Sequence, residues 1–447
     1  MRENTYTFMA RTALWIFYAL LAYMPLHILL STWVGTSFGV LEIAKVAKDI
    51  VLVVGFLLVL VPGVRRSGFR VLLRDKLVWL LAAYTLMTLE FALLEPTDLD
   101  AEILGIVYNL RFFMFFIYAV LLTKLFDPVH TLKRAVQVVL AVGSVVAVFG
   151  LLQYVVLPND ALKHLGYSRT NGVLPVFLID EKPDLERVMS TLRDPNSLGS
   201  YLVIIAPLAA AVMFMQKRPK EKILLSALLV AAVVCVGFTF SRSAWLGLAV
   251  ALAGFILLAD HRFRAVVRKR RRLVATVAGV AAVLVLGGLF VMRDSYFVQN
   301  VILHSDQSTV LEDPNELRIR FFKESITNIR DNPWGSGPGT AGLASIRNEV
   351  QGTVLNENYY LQVATEVGVV GLALFLIILG VVALRLWAKR QGNPTVQALL
   401  AAFVGLALTN VLVHVWANEA VAYTWWGLAG LTGIVARNSH NKQSRRK

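Results

Sequence analysis

Cysteine is all but missing from this sequence. The 447 residues hold one, Cys235, inside an apolar run, which excludes an intramolecular disulfide and any cysteine-based metal site. It reads as a small buried packing residue. Acidic side chains are scarce as well: 44 Lys and Arg stand against 29 Asp and Glu, a formal net charge of +15. The basic residues sit in short connections between apolar runs rather than on one surface, so membrane topology accounts for the excess and nucleic acid is not an expected partner. No His-Glu-x-x-His and no paired Asp-x-Asp in an outer segment occurs, and His164, His304 and His414 are scattered, so neither a metal nor a cofactor is expected. Tandem repeats, low-complexity tracts, a cleavable signal and a soluble domain with its own core are also absent. What the chain has in quantity is apolar length. At 57% hydrophobic and 16% charged residues, with a mean hydropathy of +0.64, it reads as an all-α polytopic membrane protein, one transmembrane domain over 1–447.

Twelve stretches are long enough to cross a bilayer, near 12–34, 40–62, 77–94, 102–126, 132–157, 197–216, 222–240, 242–259, 273–292, 359–386, 396–415 and 420–436. Alternate connections carry Arg65, Arg66, Arg70 and Arg74; Lys124, Lys133 and Arg134; Lys217, Arg218, Lys220 and Lys222; the run Arg262 to Arg272; and Lys389 with Arg390. The positive-inside rule makes these connections cytoplasmic, together with both termini and the basic tail 437–447. The run RAVVRKRRR fits an inner-leaflet lipid contact. Two outward segments exceed ordinary loop length, 158–196 and the large extracytoplasmic loop 293–358 between the ninth and tenth spans. Loops that long usually carry function.

The second of these holds the densest chemistry. In DPNELRIRFFKESITNIRDNPWGSGPGT, Asp313, Pro314 and Glu316 read as the start of a short helix that Asp331, Asn332 and Pro333 stop. At about 100° per residue Ile319, Phe322, Ile326 and Ile329 share a face with Arg318 at its edge, while Arg320 points nearly opposite. If the apolar stripe rests on the protein, Arg318 faces it. Gly335, Gly337 and Gly339 then allow consecutive N–H groups to turn inward as an anion-holding nest. In NENYYLQVATEVG, Asn356 is a plausible helix cap, and Glu357 reads either as a dipole-favoured acid at a helix mouth or as a general base.

Other charges lie at or inside the spans. Arg242, in FTFSRSAWLGL, reads either as an arginine snorkelling to headgroups or as a fixed cation for a lipid-linked phosphate, whose oxygens a guanidinium can clasp in two places. Arg111 lies well inside the fourth span, where an ionised group is costly; it reads as functional or as paired with Glu90 or Glu366. Glu42, Lys45, Lys48 and Asp49 suggest a local salt-bridged face. Asp194, Pro195 and Asn196 look like a helix start.

The motifs DPNSLGSYLVIIAP, TFSRSAWLGL, R-x-x-x-F followed by DNPWGSGPG, and NYYLQVATEVGVVGLALF, in that order over roughly Asp194 to Phe375, resemble the O-antigen ligase and polymerase superfamily of bacterial membrane glycosyltransferases. The resemblance implies a C-type glycosyltransferase-like helical fold in the cytoplasmic membrane. It also implies metal-independent, inverting transfer of a glycan from an undecaprenyl-pyrophosphate carrier to a glycan acceptor on the outer face. In the family pattern Arg242 and Arg318 would engage the donor pyrophosphate; Arg111, Arg320, Asn358, Tyr360 and the three glycines are expected beside them as further substrate contacts. Ligases of the family place a histidine where this chain has Glu357, as the base for the acceptor hydroxyl, so the departure implies a polymerase of repeat units in preference to a ligase acting on a lipid core. A lipid-linked-sugar flippase is the rival from another class, and the large loop and the outer-rim cations favour catalysis over it.

Overall fold

The computed structural model describes residues 2–67, 73–94, 98–179, 182–258, 314–348, 354 and 356–435. The helices are α1 (Arg2–Tyr23), α2 (His27–Phe38), α3 (Leu41–Ser67), α4 (Lys76–Leu94), α5 (Leu99–Leu125), α6 (Pro128–Val155) and α7 (Pro195–Met215). They continue with α8 (Pro219–Phe238), α9 (Arg242–Leu258), α10 (Pro314–Asp331), α11 (Tyr359–Lys389), α12 (Pro394–Thr409) and α13 (Glu419–Leu431). Among the described residues seven helical stretches are long and apolar enough to cross a membrane, and α9 and α12 are shorter apolar helices. The expected span at 273–292 lies outside the described residues, as do His304, Asp313 and the basic run.

Several helix starts follow from one local device, a side chain that accepts a free N–H just before a proline at the first helical position. Asp127 accepts from His130 N at 3.0 Å before Pro128, Asp194 from Ser197 N at 2.9 Å before Pro195, and Asn393 from Val396 N at 3.3 Å before Pro394. The first expected span instead divides into α1 and α2 at a 3₁₀ turn, Met24–Leu26. Pro25 sits in that turn, and its missing N–H and its ring interrupt the helical ladder.

The core sits on α5. Its run of phenylalanines meets α13, where Phe112 stacks on Trp426 at 5.4 Å, and α1, where Phe17 stacks on Phe115 at 4.5 Å. Small residues permit the approach: a Cβ at Gly430 would lie 2.7 Å from Phe116 O. Gly247 of α9 and Gly405 of α12 meet in the same way, the small-residue contact usual between helices in lipid. Outside, Leu57, Leu86, Ile223, Leu257 and Leu384 are exposed, an apolar surface suited to acyl chains and costly in water.

The segment 158–196 departs from the all-helical expectation. It holds a 3₁₀ turn, Ala161–Leu165, and a two-stranded antiparallel sheet, β1 (Leu178–Ile179) and β2 (Lys182–Glu186), with Leu178 opposite Glu186. Leu162, Tyr167, Val173 and Met189 form a small apolar cluster there that packs on Ile28 and Leu29 of α2 and Phe149 of α6, so this segment is seated on the bundle by contacts that hydropathy did not reveal.

Candidate active site

The starts of α5, α7, α9, α11 and α13 lie near one another: Asp194, Asn196, Glu357, Asn418 and Glu419 line one cavity, Gly199 packs on Ala244 and Gly339 on Ala101. At the far ends Lys124 donates to Val435 O at 3.4 Å and Lys389 to Thr432 O at 3.2 Å. Helix N-termini present free N–H groups and the positive end of the dipole, so this end of the bundle favours anions.

A cavity of about 190 Å³ opens there, lined among others by Arg187, Arg193, Asp194, Glu357, His414 and Glu419. Each is fixed by its backbone or by a neighbour. Arg187 follows β2; its N–H donates to Phe177 O at 2.8 Å, its Nε to Thr239 O at 3.0 Å and its Nη2 to Asn196 Oδ1 at 3.1 Å. Thr239 lies just before the Ser-Arg-Ser turn, where Ser241 and Ser243 hydroxyls stand 3.1 Å apart and Ser241 Oγ accepts from Ala244 N at 3.4 Å, starting α9 at Arg242. Arg318 is joined to this cavity through Glu357, its Nε donating to Glu357 Oε2 at 2.5 Å. Burial lowers the pKa of the Arg187 guanidinium, and the positive charges of Arg318 and Arg242 add to that, while Asp194 and Glu357 oppose it. The three arginines therefore share one electrostatic neighbourhood, with Glu357 in it. Arg318 and Glu357 are 41% and 40% exposed, so their pair contributes about 0–1 kcal/mol to stability and matters for placement instead.

Other residues singled out in the sequence are employed differently. The three glycines are left-handed, with φ of 103°, 93° and 87° at Gly335, Gly337 and Gly339, but their turn does not offer a vacant nest. Helix α11 is broken at Gly368, with φ of 77° and ψ of 175°, and the turn plugs the break. Ser336 N donates to Thr365 O at 2.8 Å, Gly337 N to Glu366 O at 3.0 Å, and Val369 N to Pro333 O at 2.9 Å. Gly339 N donates to Glu366 Oε1 at 3.1 Å, and Asn109 holds the other carboxylate oxygen at 2.7 Å. The N–H groups expected to hold phosphate satisfy carbonyls and a buried acid instead, as irregular backbone at membrane depth requires.

Arg111 pairs with neither Glu90 nor Glu366. Its Nη1 donates to Glu419 at 3.1 Å, its Nη2 to Ala417 O, and its guanidinium covers the Tyr108 ring at 4.7 Å. Lys48 meets Asp49 at 2.8 Å and Glu419 at 3.7 Å, so of the expected local face only Lys45 with Glu42, at 2.8 Å, is purely local. Asn358, rather than Asn356, caps α11, accepting from Tyr360 N and Leu361 N at 2.9 and 3.1 Å. The Tyr360 hydroxyl donates to Ala407 O of α12 at 3.0 Å.

On α10 the apolar stripe faces away from the protein: Ile319, Phe322 and Ile326 are 55%, 51% and 45% exposed, while Ser325 is buried. Ile329, the fourth residue of the stripe, is half-buried, as are Phe321 and Asn328, and the exposed apolar side of the helix is suited to lipid at the rim of the bundle. Arg320 is on the outer side, 3.8 Å from Glu324, away from Glu357. Sequence reasoning passed over Arg187, which stands in an aperiodic loop, and set His414 aside as scattered. The signal for Arg187 was faint, a lone arginine shortly before a helix-start motif in an overlong outer loop. Among the described residues no group of three or more His, Cys, Asp or Glu could hold a metal ion.

Residues 227–376 match the family model described as O-antigen ligase, from within α8 to within α11. The chain is also 22% identical over 302 residues, 67% of its own length and 71% of the relative's, to an O-antigen polymerase of Salmonella muenchen. These matches support the O-antigen ligase and polymerase superfamily as the family of this chain, and with it a membrane-embedded glycosyltransferase-type enzyme.

Proposed function

We propose that this protein, a glycosyltransferase-type enzyme of the O-antigen ligase and polymerase superfamily, joins lipid-linked oligosaccharide repeat units on the outer face of the bacterial cytoplasmic membrane, with both termini inside. The donor is a glycan on undecaprenyl pyrophosphate and the acceptor a sugar hydroxyl of a second glycan. The hydroxyl oxygen attacks the anomeric carbon, the bond from that carbon to the diphosphate oxygen breaks, and the configuration inverts. The hydroxyl proton passes to a protein base, and undecaprenyl diphosphate departs with the bonding pair. The observation that carries this reading is the grouping of Arg318, Glu357 and Arg187 at a cavity that the N-termini of α7 and α13 help to line.

Arg318 and Arg242 stabilise the charge growing on the leaving diphosphate, where fixed cations help most. Arg187, held in place by two hydrogen bonds, completes the anion-attracting wall. Glu357 orients the acceptor hydroxyl at the mouth of α11. Polymerisation is favoured over ligation to a lipid core by the similarity to an O-antigen polymerase of Salmonella muenchen and by the carboxylate at position 357.

Purified protein incubated with a single lipid-linked repeat unit should give a ladder of products. A requirement for a separate acceptor indicates a ligase, and movement of the lipid-linked sugar across liposomes without any new glycosidic bond indicates a flippase. Arg318→Ala and Arg242→Ala should each insert and fold but lower the transfer rate by about 10²–10³-fold, measured as repeat units joined per minute. Normal chain lengths in either variant would falsify the assignment.

A further inference from the structure

Glu357 Oε2 is already engaged by Arg318 at 2.5 Å, so a second group with an available lone pair matters to the proton's route. His414 lines the same cavity as Glu357. It stands in the connection between α12 and α13, which Asn410 braces by accepting from Val415 N at 3.1 Å and Trp416 N at 3.3 Å. Its Nδ1 lies 3.2 Å from Asn356 O. A carbonyl oxygen can only accept, so Nδ1 carries the proton and, in the neutral ring, Nε2 carries the lone pair. The backbone of the residue preceding Glu357 thus sets the tautomer of the imidazole.

The charged groups around the ring suit a base that is neutral before the reaction and charged after it. Burial lowers its pKa from the ordinary value near 6.5; the Asp194 and Glu357 carboxylates act the other way, and the Arg193 guanidinium adds to the lowering. Arg187 and Glu419 line the same cavity. The ring is therefore an unprotonated acceptor at neutral pH, with two carboxylates nearby to stabilise the imidazolium once it forms.

We infer that His414 Nε2 is the group that receives the acceptor hydroxyl's proton during glycosyl transfer, while Glu357, tied to Arg318, orients the hydroxyl. This rests on the glycosyl-transfer reading above. The oxygen–hydrogen bond breaks as the new carbon–oxygen bond forms, the proton goes to Nε2, and the electron pair of the broken carbon–oxygen bond leaves with the diphosphate.

The test follows repeat-unit joining by wild type, His414→Gln and Glu357→Gln against pH, with binding of the lipid-linked donor measured alongside. Wild type should lose kcat/KM on the acid side as the imidazole protonates, with that limb displaced below the usual histidine range. His414→Gln should bind donor as wild type does, lose at least a hundredfold in kcat, and show no acid limb in what remains. Glu357→Gln should keep the limb at a reduced rate. His414→Asn, which can also donate toward Asn356 O, should show the same loss, which separates proton acceptance from a merely structural bond. Near-normal turnover of either His414 variant, or an unchanged acid limb in either, would overturn the inference while wild-type product formation keeps the glycosyl-transfer reading intact. No glycosidic product from wild type would end both.

Discussion

Glu186 shows how much a single carboxyl can depend on its surroundings. It is buried at the end of β2, with one oxygen accepting from Gln153 Nε2 at 3.0 Å, and burial pushes its pKa up to about 7. A carboxyl raised in this way is protonated in the folded protein at pH values where the unfolded chain would ionise it. The sign follows: the folded state binds more protons between about 4.5 and 7, so stability falls as pH rises through that window. Glu186→Gln should flatten this dependence, seen as a melting temperature in detergent that no longer declines from pH 4.5 to 7. Residue-scale reading of the sequence was uneven. The wheel favours Arg318 over Arg320 on the premise that the apolar stripe rests on the protein, and α10 reverses that premise, with Ile319 and Phe322 exposed; nothing local links Arg187 to Arg242. Their nearness comes from the loop before α7 crossing the α8 to α9 turn, with Arg187 donating to Thr239 O, and such crossings leave no periodic trace.

At the scale of elements, α11 and the turn before it form one unit although the sequence presents them as two. The apolar stripe of α10 faces outward, where a membrane inverts the usual rule for apolar side chains, so Arg318 reaches Glu357 from the edge of the stripe and not from a side buried with it. The glycine turn is visible in sequence as glycines, but its use depends on a break in a helix that hydropathy reads as continuous. Gly368 has φ of 77°, and a Cβ there would lie 2.3 Å from Trp334 O. Gly368→Ala should therefore add strain of about 1–3 kcal/mol and push the turn off the helix. Expected are a lower melting temperature and faster proteolysis between α10 and α11; an alanine variant as resistant as wild type would show that the turn is not seated on the break.

For the whole molecule, charge is partitioned between two ends. Opposite the cavity, Asp75 accepts from Arg385 in a two-pronged pair at 2.6 and 2.8 Å, and Arg385 also donates to Ile434 O at 3.1 Å. This clasp joins α4, α11 and the end of the α13 segment. Asp75 is 4% exposed, and removing one partner of such a pair costs about 3–5 kcal/mol. Asp75→Asn should lower the melting temperature while leaving the pH profile of transfer unchanged in the surviving folded fraction. Sequence alone does not join the two, since they are far apart in the chain, Asp75 in a basic connection and Arg385 near the end of an apolar span. Apolar length and loop charge made the helical, membrane-spanning character legible from the outset, because the bilayer constrains those two quantities directly.

The plugged break in α11 has a bearing on how the chain is made. Its turn leaves the ribosome before the helix whose gap it fills, so the carbonyls of Thr365 and Glu366 meet waiting donors as that helix is threaded into the lipid. A rearranged gene that placed 332–342 after α11 would send the gapped helix into the bilayer with those oxygens bare, and insertion itself, ahead of any catalytic step, is where such a chain should stall.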